Sequence, residues 1–123
     1  MKDKKDISWY SEPEEHNYPA AESFLLLIYN QDFVSKVIDK LRSDKVVTFK
    51  AKDIFRASQL SLLGISNSHV EKDIKKISIG KQLSPLLLLR ENENGRVIIA
   101  DGYHRLCAVY SLDEDALIPC KIV

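Results

Sequence analysis

The sequence contains only two cysteines, which lack the spacing of a metal site or of a disulfide framework. Cys107 and Cys120 lie inside patterned segments, which favours buried, reduced thiols. The longest apolar run, from Pro85 to Leu89, is too short to span a membrane. No cationic, apolar and small-residue sequence opens the chain, so we expect no signal peptide and predict a cytoplasmic protein.

An excess of one charge sign is also missing from the chain. Lys and Arg together number 18, Asp and Glu also number 18, and the formal net charge is +0. Proteins that coat nucleic acid carry a large positive excess, so DNA is not an expected partner. The chain instead has 123 residues, 45% hydrophobic and 29% charged, which is typical of one domain with a single modest core.

Residues 1–17 have no apolar period and are rich in Lys, Asp, Glu, Ser and Pro, which predicts a flexible arm. Trp9 and Tyr10 are expected to anchor this arm on the body or on a partner, which leaves a protein partner or a homo-oligomer open.

A helical layer is predicted for residues 18–43, as a kinked helix or as two helices with Asp32 as a possible cap. Its helical spacing predicts two buried stripes, which consist of Ala20, Phe24, Leu27 and Ile28, and then of Val34, Val37, Ile38 and Leu41.

Strand and helix signals follow from residue 46 onward. Val46–Phe49 is β-branched and aromatic, which predicts a strand, and a short helical turn follows over Lys50–Ser58. In this turn Lys52 and Arg56 share a face, which could contact an anion or lie in solvent.

A further helix is predicted to begin with the reciprocal capping pattern of Ser68 and Glu71 and to end at Gly80. His69, in its first turn, is interpreted as a surface residue. The helix is expected to bury Val70, Ile74 and Ile77 and to point Lys72, Lys75 and Lys76 outward.

The last part of the chain predicts a hairpin and a closing strand. Leu86–Leu89 is continuously apolar, as in a strand covered on both faces. Asn94 and Gly95 predict a type I′ turn, after which Arg96–Ala100 returns antiparallel. Leu117–Val123 is the predicted closing strand, in which Pro119 indicates an edge or a strand end.

The turn Asp101-Gly102-Tyr103-His104-Arg105 joins this hairpin to a helix with buried Leu106, Val109 and Tyr110. The first N–H groups of a helix have no partner inside the helix, so they attract phosphate. A cation in a first turn is disfavoured by roughly 0.3–1 kcal/mol, so Arg105 indicates a bound anion unless it pairs on the surface with Asp113 or Glu114. Asp101 is a candidate helix cap, magnesium ligand or base.

The order of these elements over residues 46–123, with the Gly-x-His-Arg turn followed by Ala108, resembles the ParB/sulfiredoxin superfamily. The resemblance implies an α/β (α+β) fold with a small mixed sheet and flanking helices, to which residues 18–43 add a layer. In that superfamily the turn lies at the phosphates of a nucleotide, which implies contacts from Gly102, Tyr103, His104 and Arg105.

Departures from the superfamily narrow the expected activity. Sulfiredoxins carry a reactive Cys where this chain has Tyr103, so sulfinic acid reduction is not expected. The DNA-partitioning members have a double-Arg turn and continue into a helix-turn-helix domain, whereas this chain stops at Val123. A free-serine kinase branch has a similar Asp-Gly-His turn, which keeps small-molecule phosphotransfer open. The sequence also resembles a bacterial group with the motif Ala-Asp-Gly-Tyr-His-Arg, a resemblance that implies no settled activity.

Together these patterns predict a domain that binds a nucleotide (ATP, ADP or CTP, with Mg) or a similar phosphate compound. As an enzyme it would be a phosphotransferase or a nucleotide hydrolase. Asp101 and His104 would then be catalytic, and Lys52 and Arg56 would supply a second anion contact. The alternative is a non-catalytic interaction or regulatory module on the same fold.

Overall fold

A computed structural model describes residues 6–64 and 67–123 and shows an α+β fold. In chain order the elements of this part are α1 (Asn17–Leu25), α2 (Gln31–Ser43), β1 (Val47–Lys50), α3 (Ala51–Ser58), α4 (Ser68–Ser78), β2 (Leu86–Glu91), β3 (Arg96–Asp101), α5 (Tyr103–Leu112) and β4 (Leu117–Ile122).

The four strands form one mixed sheet in the order β1-β4-β2-β3. β1 pairs antiparallel with β4, and β2 pairs antiparallel with β3. β2 and β4 run parallel, and α5 connects β3 to β4, which lie on opposite sides of β2. The mixed sheet with flanking helices confirms the predicted α+β class.

Both faces of the sheet are covered, as the apolar run of β2 predicts. Leu86 and Leu88 lie in a core that contains buried residues of α3, α4 and α5. Leu87 and Leu89 point to the opposite face and pack with α1 and α2. The alternation of side chains along a strand therefore divides four consecutive leucines between two cores. The predicted role of residues 18–43 as a packing layer is confirmed.

The face that α1 buries differs from the predicted one. Tyr18, Ala21 and Leu25 are buried, whereas Phe24 is 42% exposed and Leu27 84% exposed. Because α1 ends at Leu25, Leu27 lies beyond the helix, and the predicted buried stripe that includes Leu27 is wrong. The second stripe, on α2, is buried as predicted.

Asparagine caps two helices where another residue was expected. Asn30 accepts a hydrogen bond from the N–H of Phe33, so two helices are present and Asp32 is not the cap. Asn67 accepts from the N–H groups of His69 and Val70, so the helix begins as predicted but its cap lies one residue earlier than Ser68. Both side chains have the short oxygen that a cap requires.

The hairpin and the closing strand are present with two corrections. Gly95 has a φ of +63°, but Asn94 does not have positive φ, so the loop is a four-residue connection and not a type I′ turn. β4 lies inside the sheet and not at its edge. Pro119 is tolerated there because it pairs only with β1, one residue before the pairing with β2 begins at Cys120.

The described part of the N-terminal arm is docked on the body. The N–H of Leu83 donates to the carbonyl of Ser8, and the N–H of Tyr10 donates to the carbonyl of Leu83, both at 2.9 Å. Trp9 packs against the core, as the anchoring hypothesis predicts. Glu12 forms an ion pair of 2.9 Å with the buried Lys121. The prediction of a flexible arm is therefore wrong for these residues.

Two further expectations concern the thiols and the membrane. Cys107 and Cys120 are free and buried, as predicted, and burial raises the pKa of Cys120 to about 12. None of the helices in the described part combines the length and the apolar character needed to cross a membrane.

Candidate functional site

The central turn opens into a pocket between α4 and α5 with a volume of about 210 Å³. The pocket brings the turn together with one face of α4. Its lining residues are His69, Lys72, Asp73, Lys76, Asp101, Gly102, Tyr103, His104 and Arg105.

Gly102 determines the shape of the turn. Its φ is +113°, and a Cβ placed on it would lie 2.6 Å from Cγ of Leu86 and 3.0 Å from Nη2 of Arg105. Gly102 occupies the N-cap position of α5 and supplies no side-chain cap, and the first turn of α5 contains no acidic residue. The first N–H groups of this helix therefore keep their capacity to bind an anion.

Asp101 is held by Arg105 and does not cap the helix. Nη2 of Arg105 donates to Oδ2 of Asp101 at 2.8 Å and to the carbonyl of Pro85 at 3.4 Å. Both side chains are largely buried, with 16% and 17% exposure. The alternative of a surface ion pair from Arg105 to Asp113 or Glu114 is therefore wrong.

The guanidinium of Arg105 retains a buried donor that is unused. Its Nε is buried and has no hydrogen-bond partner in the structure. An unpaired buried donor costs roughly 1–3 kcal/mol, and more for a charged group. A ligand oxygen that reached this nitrogen would remove that cost.

The face of α4 that enters the pocket was not predicted as part of the site. His69, Lys72, Asp73 and Lys76 follow the spacing of one helical face, next to the apolar stripe of Val70 and Ile77. From the sequence, this spacing predicted only that the lysines of the helix point outward. The packing of α4 against α5 turns this face toward the central turn.

Two imidazoles meet in the pocket. The ring centroids of His69 and His104 lie 4.7 Å apart. Burial lowers the pKa of His104, and the nearby His69 adds to the shift, so His104 is largely neutral at pH 7. Burial also raises the pKa of Asp73, although the positive charges of Lys76 and Arg105 oppose this shift.

Tyr103 closes one side of the site. Its hydroxyl donates to the carbonyl of Ser61, and its ring centroid lies 5.8 Å from that of His104. Burial raises the pKa of the Tyr103 hydroxyl, which therefore stays protonated near neutral pH. Tyr103 thus positions the turn against the loop that follows α3.

Lys52 and Arg56 do not line this pocket. Nζ of Lys52 forms an ion pair of 2.7 Å with Asp115, and the interaction raises the pKa of Lys52. Arg56 lines a different surface depression together with Asp53 and Ala57. The further cationic side chains that line the pocket are instead those of Lys72 and Lys76 of α4.

The donor set favours an anion over a metal ion. Three cationic side chains, those of Lys72, Lys76 and Arg105, face two carboxylates, those of Asp73 and Asp101. Within residues 6–64 and 67–123, no group of three or more His, Cys, Asp or Glu side chains has an arrangement that could hold a metal ion. A magnesium ion at Asp101 would therefore need oxygen ligands from the phosphate compound itself.

The fold and the pocket define a small α+β domain with a cationic pocket at the start of a helix. Comparison with family models, with curated proteins and with solved structures finds no match for this chain. The resemblance to the ParB/sulfiredoxin superfamily thus stays a prediction from the residues of the central turn.

Proposed function

We propose that this protein binds phosphate or a phosphorylated small molecule, nucleotides included, in the pocket between α4 and α5. The buried and unpartnered Nε of Arg105 at the uncapped start of α5 is the observation that carries the proposal. An anion there would meet helix N–H groups, a guanidinium donor and the ammonium groups of Lys72 and Lys76.

The size of the pocket is consistent with a phosphate group at its centre and the rest of a ligand outside. Its volume of about 210 Å³ is smaller than the roughly 300–1,000 Å³ that encloses most of a drug-sized ligand. We therefore propose that the phosphate end is enclosed and that a nucleoside or other group extends beyond the pocket. The Gly-x-His-Arg turn, with Gly102 at its start, also supports a ParB/sulfiredoxin-like assignment, which we retain as part of the proposal.

Inorganic phosphate is the first probe, measured by isothermal titration at low ionic strength. Lys72→Gln is expected to weaken its binding by up to about fivefold, the upper end for one exposed charge interaction. Lys75→Gln is the matched control, because Lys75 lies on the same helix but pairs with Glu71 outside the pocket. Absence of phosphate binding by the wild type, or equal weakening in both variants, would contradict the proposal.

Nucleotides answer whether binding leads to chemistry. ATP, ADP, CTP and GTP are titrated with magnesium and with a chelator, and released phosphate is measured on the same samples. A neutral His104 near the bound phosphate could accept a proton from an attacking group, so we propose it as the general base of a phosphotransferase or hydrolase. Binding without turnover would favour the non-catalytic module.

Anion binding is expected to strengthen as the pH falls. A bound anion favours the protonated form of His104, whereas in the free pocket burial and the nearby His69 lower the pKa of His104. Sulfate is the suitable probe because its own charge is constant over this range. Its affinity is expected to rise about tenfold between about pH 7.5 and about pH 5.5, since each coupled proton contributes up to tenfold per pH unit.

The pH profile needs controls for the other charges in the pocket. Asp73 also lines the pocket, has a raised pKa, and would favour the anion once it is protonated. Asp73→Asn removes that contribution, and His104→Gln should flatten what remains. His16→Gln, on the arm, should leave the profile unchanged. A flat wild-type profile would exclude the coupling.

A further inference from the structure

A second pocket lies between α3 and the sheet and shares no lining residue with the phosphate site. Its volume is about 260 Å³. The walls are apolar and belong to the face of the sheet on which α3 packs. They consist of Phe49, Ile54, Ala57, Leu88, Val97 and Ile122.

The strand pairing and the short α3 explain why this face of the sheet is only partly covered. Phe49 pairs with the buried Ile118, and Leu88 and Arg90 follow one another on the same side of β2. α3 has only eight residues and covers part of this surface. Phe49 consequently remains 38% exposed, although it is a large aromatic side chain on a β-strand that borders the core.

Two opposite charges complete the lining of the pocket. Asp53 of α3 and Arg90 of β2 both line it, and both residues are exposed. In the part of the chain that the structure describes, neither side chain forms an ion pair, whereas Arg96 and Glu91 on the adjacent hairpin pair with each other at 2.5 Å. Because the cavity surface itself is almost entirely apolar, the charged groups of these two residues lie at its rim.

We propose that this pocket binds a free apolar α-amino acid of the leucine or phenylalanine type. The apolar side chain would fill the cavity, the α-carboxylate would contact Arg90, and the α-ammonium would contact Asp53. Burial of an aliphatic or aromatic side chain supplies the main attraction, and the two charges set the specificity. The cavity is smaller than the roughly 300 Å³ at which drug-sized sites begin, which suits a ligand of this size.

Ligand analogues test each half of this recognition. Leucine, 4-methylpentanoate and leucinamide are titrated into the isotope-labelled full chain, and the amide resonances of Ala57 and Val97 are followed by NMR. 4-Methylpentanoate lacks the ammonium group, and leucinamide lacks the carboxylate. Each is expected to bind up to about fivefold more weakly than leucine, the upper end for one exposed charge interaction.

Protein variants locate the site. Arg90→Gln should weaken leucine about fivefold and leave 4-methylpentanoate weakened to the same extent, since both carry the carboxylate. Ala57→Leu should abolish binding by filling the cavity, with the unfolding transition as its check on folding. Lys36→Gln, an exposed cation on α2, is the matched control and should bind leucine normally.

Three results would overturn the proposal. They are the absence of a leucine response up to about 10 mM, where even millimolar affinity would be detected, equal affinity for leucine and both analogues, and unchanged binding in Arg90→Gln. Since the two pockets share no residue, none of these results bears on phosphate binding, which the Lys72→Gln titration tests separately.

Discussion

Replacement of Gly102 by alanine is expected to lower the free energy of unfolding by about 3 kcal/mol and to abolish phosphate binding. The new Cβ would lie 2.6 Å from Cγ of Leu86, which is itself fully buried, so relief of the overlap would disturb the core. The φ of +113° adds backbone strain for any residue with a side chain. Urea denaturation measures the first effect, and phosphate titration of the folded variant measures the second.

Two other glycines separate steric overlap from backbone strain. Gly95 also has positive φ, +63°, but a Cβ there would meet nothing within 4 Å. Gly95→Ala is therefore expected to cost about 1 kcal/mol, the strain of the left-handed conformation alone. Gly64, with open space and no positive φ, should tolerate alanine within about 0.5 kcal/mol. Equal losses in Gly102→Ala and Gly95→Ala would show that contact with Leu86 is unimportant.

The elements with a strong local signal were the ones that sequence could predict. Four consecutive leucines between Pro85 and Arg90 require a strand that is apolar on both faces, and β2 has that position. The prediction of the buried face of α1 was wrong because apolar residues lie on all sides of this helix, so periodicity alone did not identify the buried side. The extent of exposure at Leu27 depends on where the helix ends, which is a property of its tertiary contacts.

The candidate site divides along the same line. The central turn was recognisable because Gly102 allows a tight backbone path before the helix, and because Arg105 is a cation in the first turn, where it is unfavourable and needs a specific explanation. The contributions of His69 and Lys72 could not be predicted, since nothing local distinguishes a solvated helix face from one packed beside another helix. The prediction that Lys52 contacts the anion at the turn was wrong for a related reason. Lys52 pairs with Asp115, which lies on a different loop and could not be identified from the local sequence.

Replacement of Arg105 by alanine is expected to weaken phosphate binding by at least about tenfold, since a hydrogen bond to a charged group contributes roughly 1.5–3 kcal/mol. The substitution removes the guanidinium and also releases the carboxylate of Asp101, which Arg105 neutralises at 2.8 Å. The released carboxylate would repel the anion. Unfolding should become easier by about 2 kcal/mol, because a largely buried carboxylate loses its partner.

The double variant Arg105→Ala/Asp101→Asn separates these two effects. If Asp101 acts only as the counterion of Arg105, its neutralisation should restore both the stability and part of the affinity that Arg105→Ala loses. Asp101→Asn alone should then bind phosphate a few-fold more tightly than the wild type, with the same affinity in magnesium and in chelator. If Asp101 is instead a magnesium ligand or a base, Asp101→Asn should eliminate any magnesium dependence or turnover of nucleotide. Wild-type phosphate affinity in Arg105→Ala would remove the guanidinium from the site, and with it the observation on which phosphate binding was proposed.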